Sequence, residues 1–133
     1  MLHANIKYKA ETDTGIEFHP GQIPTGRTLP SGTYAVNFDT SESAQANTSG
    51  PIKTVAEFNF MAHSYDGLET VATALRNAFI NFGGLMGPVS SPDTRTYVLK
   101  LTKLVEDKTS PDIYEYNGSR AFLRTMTFSL THR

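Results

Sequence analysis

The sequence predicts an α+β fold in which an antiparallel sheet of four or five strands carries one long amphipathic helix on one face. Several segments alternate apolar and polar residues with the period of two that is typical of half-buried strands. One segment, residues 64–84, instead spaces its apolar residues as one face of a helix. Two of the strands precede this helix and two follow it, an order typical of a two-layer α+β sandwich.

Residues 1–32 are predicted to form an extended N-terminal arm. Within them, residues 6–10 (IKYKA) have the alternation of a short strand. Proline and glycine recur through the second half of the arm, at a density that breaks helices and central strands. These residues are Pro20, Gly21, Pro24, Gly26, Pro30 and Gly32. The chain is therefore divided into an arm, 1–32, and a single α+β domain, 33–133, of ordinary size for one hydrophobic core.

Two strands are predicted before the helix. Residues 33–39 (TYAVNFD) alternate three large apolar side chains with polar ones, and residues 53–63 (KTVAEFNFMAH) place Phe58 and Phe60 on one face in the same manner. The segment between them contains no large apolar residue through position 50. Because such a segment buries little, the loop 40–52 is predicted to be mobile.

The amphipathic helix is the clearest element. Its apolar residues recur at intervals of three and four and form one stripe. They are Leu68, Val71, Ala72, Leu75, Ala78, Phe79 and Phe82. Asp66 is predicted as the N-cap, with Glu69 three residues later as in a capping box, and Gly83 with Gly84 as the left-handed stop.

Two further strands are predicted after the helix. The first covers residues 95–107 (RTYVLKLTKLVED), and the second runs to the end of the sequence, where Phe122, Met126, Phe128 and Leu130 share one parity and hydroxyl residues from Thr125 to Thr131 share the other. The pair Asn117-Gly118 is a tight-turn signal and joins the two as a long hairpin. A terminal strand exposes unpaired backbone groups unless both its edges are covered. The sequence therefore raises the question of which chain supplies the second neighbour.

Composition and motifs argue against an enzyme. The net charge of -1 gives no long-range attraction to nucleic acid, and no cysteine is available as a nucleophile or ligand. The four histidines are isolated, and neither a metal-binding spacing nor a nucleophile elbow occurs. No cofactor or metal is predicted. A protein that is soluble and has no export signal is expected, since no window has the length and apolarity of a membrane span or signal peptide.

Candidate interaction residues remain. Residues 83–96 place apolar side chains among glycines and prolines, which is unusual for a surface loop. An arginine on the apolar face of the last strand indicates either that the face leaves the core there or that the charge is paired. The predicted interface residues are Leu85, Met86, Val89, Tyr114, Tyr116, Arg120 and Arg124.

The order of elements resembles a known family. The strand FNFMAH, the helix DGLETVATALRNAFINF, the glycine stop and a hairpin ending in SRAFLRTMTFSLTHR are similar to the tail terminator, or tail completion, proteins of long-tailed bacteriophages. The resemblance covers residues 33–133 and depends on element order and polarity, without a short diagnostic motif. Family members commonly begin with an amphipathic helix, where this sequence has the predicted arm.

The resemblance implies a structural virion protein without enzymatic activity. A homo-oligomeric ring, a hexamer in that family, would cap the tail tube and meet a neck or head-completion protein, with DNA passing through the lumen and without membrane contact. The expected location is the tail-neck junction of the virion, after assembly in the host cytoplasm. Two alternatives stay open, another neck or tail-tube component and a small cytosolic α+β domain that binds a ligand.

Overall fold

A computed structural model describes residues 2–38, 52–80, 84–86 and 97–132 of the chain. Its elements are α1 (Leu2–Thr14), β1 (Phe18–Pro20), β2 (Ser31–Phe38), β3 (Ile52–Ala62), α2 (Tyr65–Phe79), β4 (Gly84–Met86), β5 (Tyr97–Thr109), β6 (Tyr114–Tyr116) and β7 (Ser119–His132). The α+β class is confirmed. The prediction of four or five strands and one helix is wrong in number, because three strands have only three residues each and such a length carries no readable period.

The strands form one mixed sheet in the order β1-β2-β3-β7-β5-β4, and β6 also pairs with β7. Only β1 and β2 run parallel; the other pairs are antiparallel. The predicted loop 40–52 lies outside the described residues except for its last position, which begins β3. The four predicted long strands are all present, with ends that differ from the prediction by a few residues.

The last strand is a central strand of the sheet. On one side β7 pairs with β3 along eleven positions, from Ile52 opposite His132 to Ala62 opposite Phe122. On the other side it pairs with β5, as predicted from the hairpin signal. Both neighbours therefore belong to the same chain. Along residues 124–132 this strand has a neighbour on each side without a second copy of the protein.

The prediction of an extended arm over residues 1–32 is wrong for its first half. Residues 2–14 form helix α1, and the proline and glycine punctuation begins only at Gly15. Ile6 and Ala10, four positions apart, are fully buried, whereas Tyr8 between them is 52% exposed. The helical spacing therefore describes this segment, and the alternation that indicated a strand does not. Gly15, with a φ of 76°, ends the helix by donating its N–H to the backbone carbonyl of Glu11.

Helix α2 is confirmed, but its predicted cap is wrong. The N-cap is Ser64, whose Oγ accepts the N–H of Gly67 at 3.0 Å, and Asp66 lies in the first turn. A serine hydroxyl next to an extended backbone reaches the free N–H groups of the first turn, so the helix begins two residues earlier than Asp66 requires. The helix ends at Phe79 with Ile80 as C-cap, before the predicted glycine stop. Phe82 and Gly83 lie outside the described residues.

Aromatic side chains fill the space between the sheet and the two helices. The ring of Phe58 lies 5.2 Å from Phe18, 5.6 Å from Phe79 and 6.0 Å from Phe128, each measured between centroids. All four rings have no exposed surface. The stripe of α2 packs onto this cluster, as its period predicts, and α1 adds Ile6 and Ala10 to the same core. The face of the sheet toward the helices is called the inner face below.

Candidate functional site

The hairpin tip, defined as residues 113–120, is an exposed end of the described part of the chain. Asn117 and Gly118 have φ values of 52° and 77°, so both turn residues are left-handed, as a two-residue hairpin turn requires. Ile113 is 58% exposed and Tyr114 is 37% exposed. Two large side chains of the hairpin tip are therefore in contact with solvent, Ile113 over more than half of its area and Tyr114 over more than a third.

Two contacts fasten the hairpin tip to the rest of the domain. Tyr116 donates its hydroxyl to the carbonyl of Arg27 at 2.7 Å, which joins the tip to the segment between β1 and β2. The carbonyl of Arg120 lies 2.8 Å from Nδ1 of His63, in the connection between β3 and α2. Tyr116 is thus engaged within its own chain. The side chains of Tyr114 and Arg120 are exposed, and the hydroxyl of Tyr114 lies 3.3 Å from that of Ser110.

Arg124 lies on the inner face and is paired. Its Nε and Nη2 donate to the two carboxylate oxygens of Asp107 at 2.7 and 2.8 Å, and its Nη1 donates to Glu69 at 2.6 Å. Arg76 donates to Asp107 at 2.9 Å from the other side. Of the two explanations that the sequence left open for this arginine, the paired charge is correct. Its side chain is 12% exposed, which leaves little surface for a neighbouring subunit.

The electrostatics of this network follow from its hydrogen bonds. The hydrogen bonds from Arg124 hold the pKa of Asp107 below its ordinary value, against the opposing effect of burial. The same bonds, reinforced by Glu69, raise the pKa of Arg124. Both groups stay charged at neutral pH. The network ties α2 to β5 and β7 and has the character of a structural clamp.

Two predicted interface residues, Leu85 and Met86, lie near the other end of the sheet. Leu85 and Met86 belong to β4, where they pair with Val98 and Tyr97 of β5, so this part of the predicted loop is a strand. Val89 lies outside the described residues. The structure therefore does not bring Leu85 and Met86 together with the hairpin tip, and the role of Leu85, Met86 and Val89 in an interface stays a prediction.

The face of the sheet opposite the helices is called the outer face. Its central row consists of hydroxyl side chains of β7, all half-buried by their neighbours. They are Thr125, Thr127, Ser129 and Thr131. Thr125 donates to Oδ1 of Asn59 at 2.5 Å, and Asn59 donates to Glu57 at 3.0 Å. The outer face also carries the half-buried apolar side chains of Val55, Met61 and Leu123, and neither α1 nor α2 covers it.

Surface grooves are shallow within the described part of the chain. One groove of about 410 Å³ is lined by residues 15–17 and 26–31, and its charged groups Glu17 and Arg27 already pair with each other at 3.6 Å. Among residues 2–38, 52–80, 84–86 and 97–132, no group of three His, Asp or Glu side chains is placed to hold a metal ion. No described helix has the length and apolarity to cross a membrane.

Comparisons with known proteins return no family. The sequence matches no protein-family model, and no curated protein is significantly similar to it.

Sequence reasoning missed the two carboxylates that organise these surfaces. Asp107 faces inward because β5 carries a bulge between Leu104 and Glu106, which shifts the alternation by one residue. Glu11 accepts the N–H of Phe18 from the C-terminal half of α1, a contact that depends on a helix the sequence was not expected to form. Such a bulge makes β5 longer than the stretch of β7 that it pairs with. That difference can be recognised only when the register of the two strands is known.

Proposed function

We propose that this protein is a structural virion component, a tail terminator that caps the end of a tail tube as a homo-oligomeric ring and joins it to the neck. The observation that carries the proposal is the two-sided sheet. Both helices and the buried aromatic core residues lie on its inner face, whereas the outer face carries a central row of hydroxyl side chains beside the half-buried Val55, Met61 and Leu123. Such a subunit has a filled interior and offers its surfaces for contact, as a ring component requires.

The element order of residues 33–133 also supports the proposal. A strand that leads into α2 and a final hairpin that ends in the last strand are among the features on which the resemblance rests. Helix α1 supports it only by position, because a helix precedes residues 33–133 as in that family but has a weak apolar stripe in place of the amphipathic helix common there. The sequence was expected to depart from the family by an extended N-terminal arm, but residues 2–14 form a helix and not an arm.

Ring closure needs a heterologous contact, in which one patch meets a different patch on the next copy. The hairpin tip is our candidate for one of the two patches, because Ile113 and Tyr114 are exposed there. Arg120, which lies opposite Glu115 of β6, is exposed as well. Exposed apolar and aromatic side chains with an arginine nearby have the composition of interface anchors. The apolar residues of β4, Leu85 and Met86, are proposed for the opposite side of the subunit.

The proposed partners are other copies of the chain, which form a ring expected to be a hexamer, the tail-tube protein, and a neck or head-completion protein. The site is the tail-neck junction of the virion, reached by assembly in the host cytoplasm. DNA passes through the ring without specific binding. A net charge of -1 is compatible with a conduit that must release a polyanion.

Native mass spectrometry and electron microscopy of the purified protein, alone and mixed with tail tubes, test the proposal. Rings that bind tube ends and stop their growth are expected. Tyr114→Ser is expected to weaken ring formation, and Tyr8→Ser, which changes an exposed tyrosine on α1, serves as the matched control. A protein that stays monomeric at high concentration and ignores tubes would overturn the proposal. Growth into long tubes would instead identify a tail-tube protein.

A further inference from the structure

Strand β1 is an edge of the sheet, and the direction of its backbone groups can be read from its bonds to β2. The N–H of Gly32 donates to the carbonyl of Glu17 at 3.0 Å, and Phe18 lies opposite Gly32 in a parallel register. In a parallel pair this places the carbonyl of residue 17 and the N–H of residue 19 toward β2. The N–H of Phe18 therefore points away from the sheet, where an added strand would bind it.

That position is already occupied by a carboxylate. Oε2 of Glu11 accepts the N–H of Phe18 at 3.0 Å, and Oε1 of the same group accepts Nζ of Lys7 at 2.8 Å. Two residues along the edge, Pro20 has no N–H to offer, and its carbonyl accepts the N–H of Gln22 at 3.1 Å. Three of the four outward positions at residues 18 and 20, all but the carbonyl of Phe18, are thus closed by described residues of the chain itself.

The other side of the sheet is protected in a different way. Among the described residues, β4 covers β5 only from Tyr97 to Leu99. Beyond it, β5 has two register shifts and the exposed lysines Lys103 and Lys108. Bulges and lysines discourage strand addition by shape and charge. Glu11 instead acts as a direct substitute for the incoming carbonyl, so its effect depends on one hydrogen bond that a single substitution removes.

We propose that the Glu11 carboxylate, together with Pro20, is a built-in plug that keeps the β1 edge from adding a strand of a second copy of this chain. Loss of the carboxylate leaves the outward N–H of Phe18 without its acceptor. Phe18 belongs to a three-residue strand that is already in the extended conformation. A strand from another copy then supplies the missing acceptor. This inference does not depend on the ring proposal, since it concerns a contact that the monomer blocks.

The test compares Glu11→Ala, which removes the acceptor, with Glu11→Gln, whose amide oxygen retains it. Asp13→Ala is the matched control, because Asp13 forms the same kind of ion pair in α1, with Lys9 at 2.9 Å, and does not cap β1. Self-association is measured by sedimentation velocity over a concentration series, and amide hydrogen exchange is measured at Phe18. For Glu11→Ala we expect stronger self-association than wild type and exchange at Phe18 that is roughly tenfold faster in the monomer.

Glu11→Gln and Asp13→Ala are expected to associate as wild type does. Glu11→Ala that folds and keeps the wild-type association state overturns the plug, whatever its exchange rate at Phe18. Equal association of the Gln and Ala variants also overturns it, because the amide keeps the acceptor. If Glu11→Ala does not fold, Pro20→Ala decides: it restores an outward N–H, and an unchanged association state then counts against the inference.

Discussion

Asp107 and Arg124 meet through two parallel hydrogen bonds, at 2.7 Å from Nε to Oδ1 and 2.8 Å from Nη2 to Oδ2. Asp107 reaches this position because the bulge in β5 places it opposite Met126, on the inner face. Val105, the residue skipped by the pairing, is 59% exposed. A carboxylate and a guanidinium in this fork geometry bind more strongly than an ordinary surface ion pair, since both charges are partly withdrawn from water.

Replacement of Asp107 by Asn should lower the free energy of unfolding by about 2 kcal/mol near neutral pH, because Arg124 loses a charged acceptor. The pKa of Asp107 is lower in the folded protein than its ordinary value of 3.8. The stabilisation it provides is therefore present above that value and is lost as the pH falls through the lower, folded-state pKa. Urea unfolding of both proteins over a pH series should show the difference shrinking below about pH 4.

Glu106→Gln is the matched control for this prediction. Glu106 is adjacent to Asp107 and pairs with Lys108 at 3.5 Å, with both side chains largely exposed. Its loss should change the free energy of unfolding by less than about 0.5 kcal/mol, because exposed pairs contribute little. Equal effects of the two substitutions, or a difference independent of pH, would show that the fork contributes nothing beyond a surface pair.

The periodic parts of the fold are predictable from the sequence. Leu68, Leu75 and Phe79 on α2 share one buried stripe, and Met126 and Phe128 on β7 share one buried face. Each of these predictions depends on a period repeated over ten or more residues. Such a repeat fixes which side chains enter the core before any partner is known.

The parts that could not be predicted depend on contacts distant in sequence. Helix α1 has a weak apolar stripe, so Ile6 and Ala10 identify it only when α2 and β1 are present to bury them. The partner of Arg124 was undetermined for the same reason. The candidate site was predicted in part. The Asn117-Gly118 pair predicts the turn of the hairpin tip. The exposure of the tip was not predictable, because it depends on how far β6 extends past the end of β3.

Gly32 is required by close packing. A Cβ at this position would lie 2.5 Å from the carbonyl oxygen of Asn59 and 2.8 Å from the ring of Phe18. The backbone oxygen cannot move away without breaking the pairing of β2 with β3. Gly32→Ala should therefore lower the free energy of unfolding by about 1 to 3 kcal/mol, the range for overpacking. Thr33→Ala, on the outer face of the same strand, is the control, and an equal loss in both variants would contradict the packing argument.

Phe58 is the centre of the aromatic core. Three other rings lie within 6.0 Å of it by centroid distance, so its removal leaves a cavity that neighbours on several sides cannot fill together. Phe58→Ala should cost about 3 to 5 kcal/mol in the free energy of unfolding, measured by chemical denaturation. Phe58→Leu should cost clearly less, since it retains much of the volume. A small loss for the alanine variant would show that the core closes around the gap.

The turn at Asn117 and Gly118 gives a test that separates the hairpin tip from the rest of the fold. Both residues have positive φ, where alanine is disfavoured by about 1 to 2 kcal/mol and glycine is not. Gly118→Ala should therefore destabilise the tip, and Asn117→Gly should be close to neutral. Tyr116 lies in this hairpin and donates its hydroxyl to the carbonyl of Arg27. A loosened tip in the alanine variant should therefore also expose the Tyr116 hydroxyl.

Hydrogen exchange distinguishes this local effect from a global one. Only the amides of β6 and the first residues of β7 should exchange faster in Gly118→Ala, since the rest of β7 is held by β3 and β5 on its two sides. Tyr116→Phe removes the hydroxyl bond to Arg27 without altering the turn, so it should loosen the same amides to a smaller extent. Faster exchange throughout β3 and β7 in either variant would mean that the tip is a cooperative part of the core, and its use as an independent contact surface would lose its structural basis.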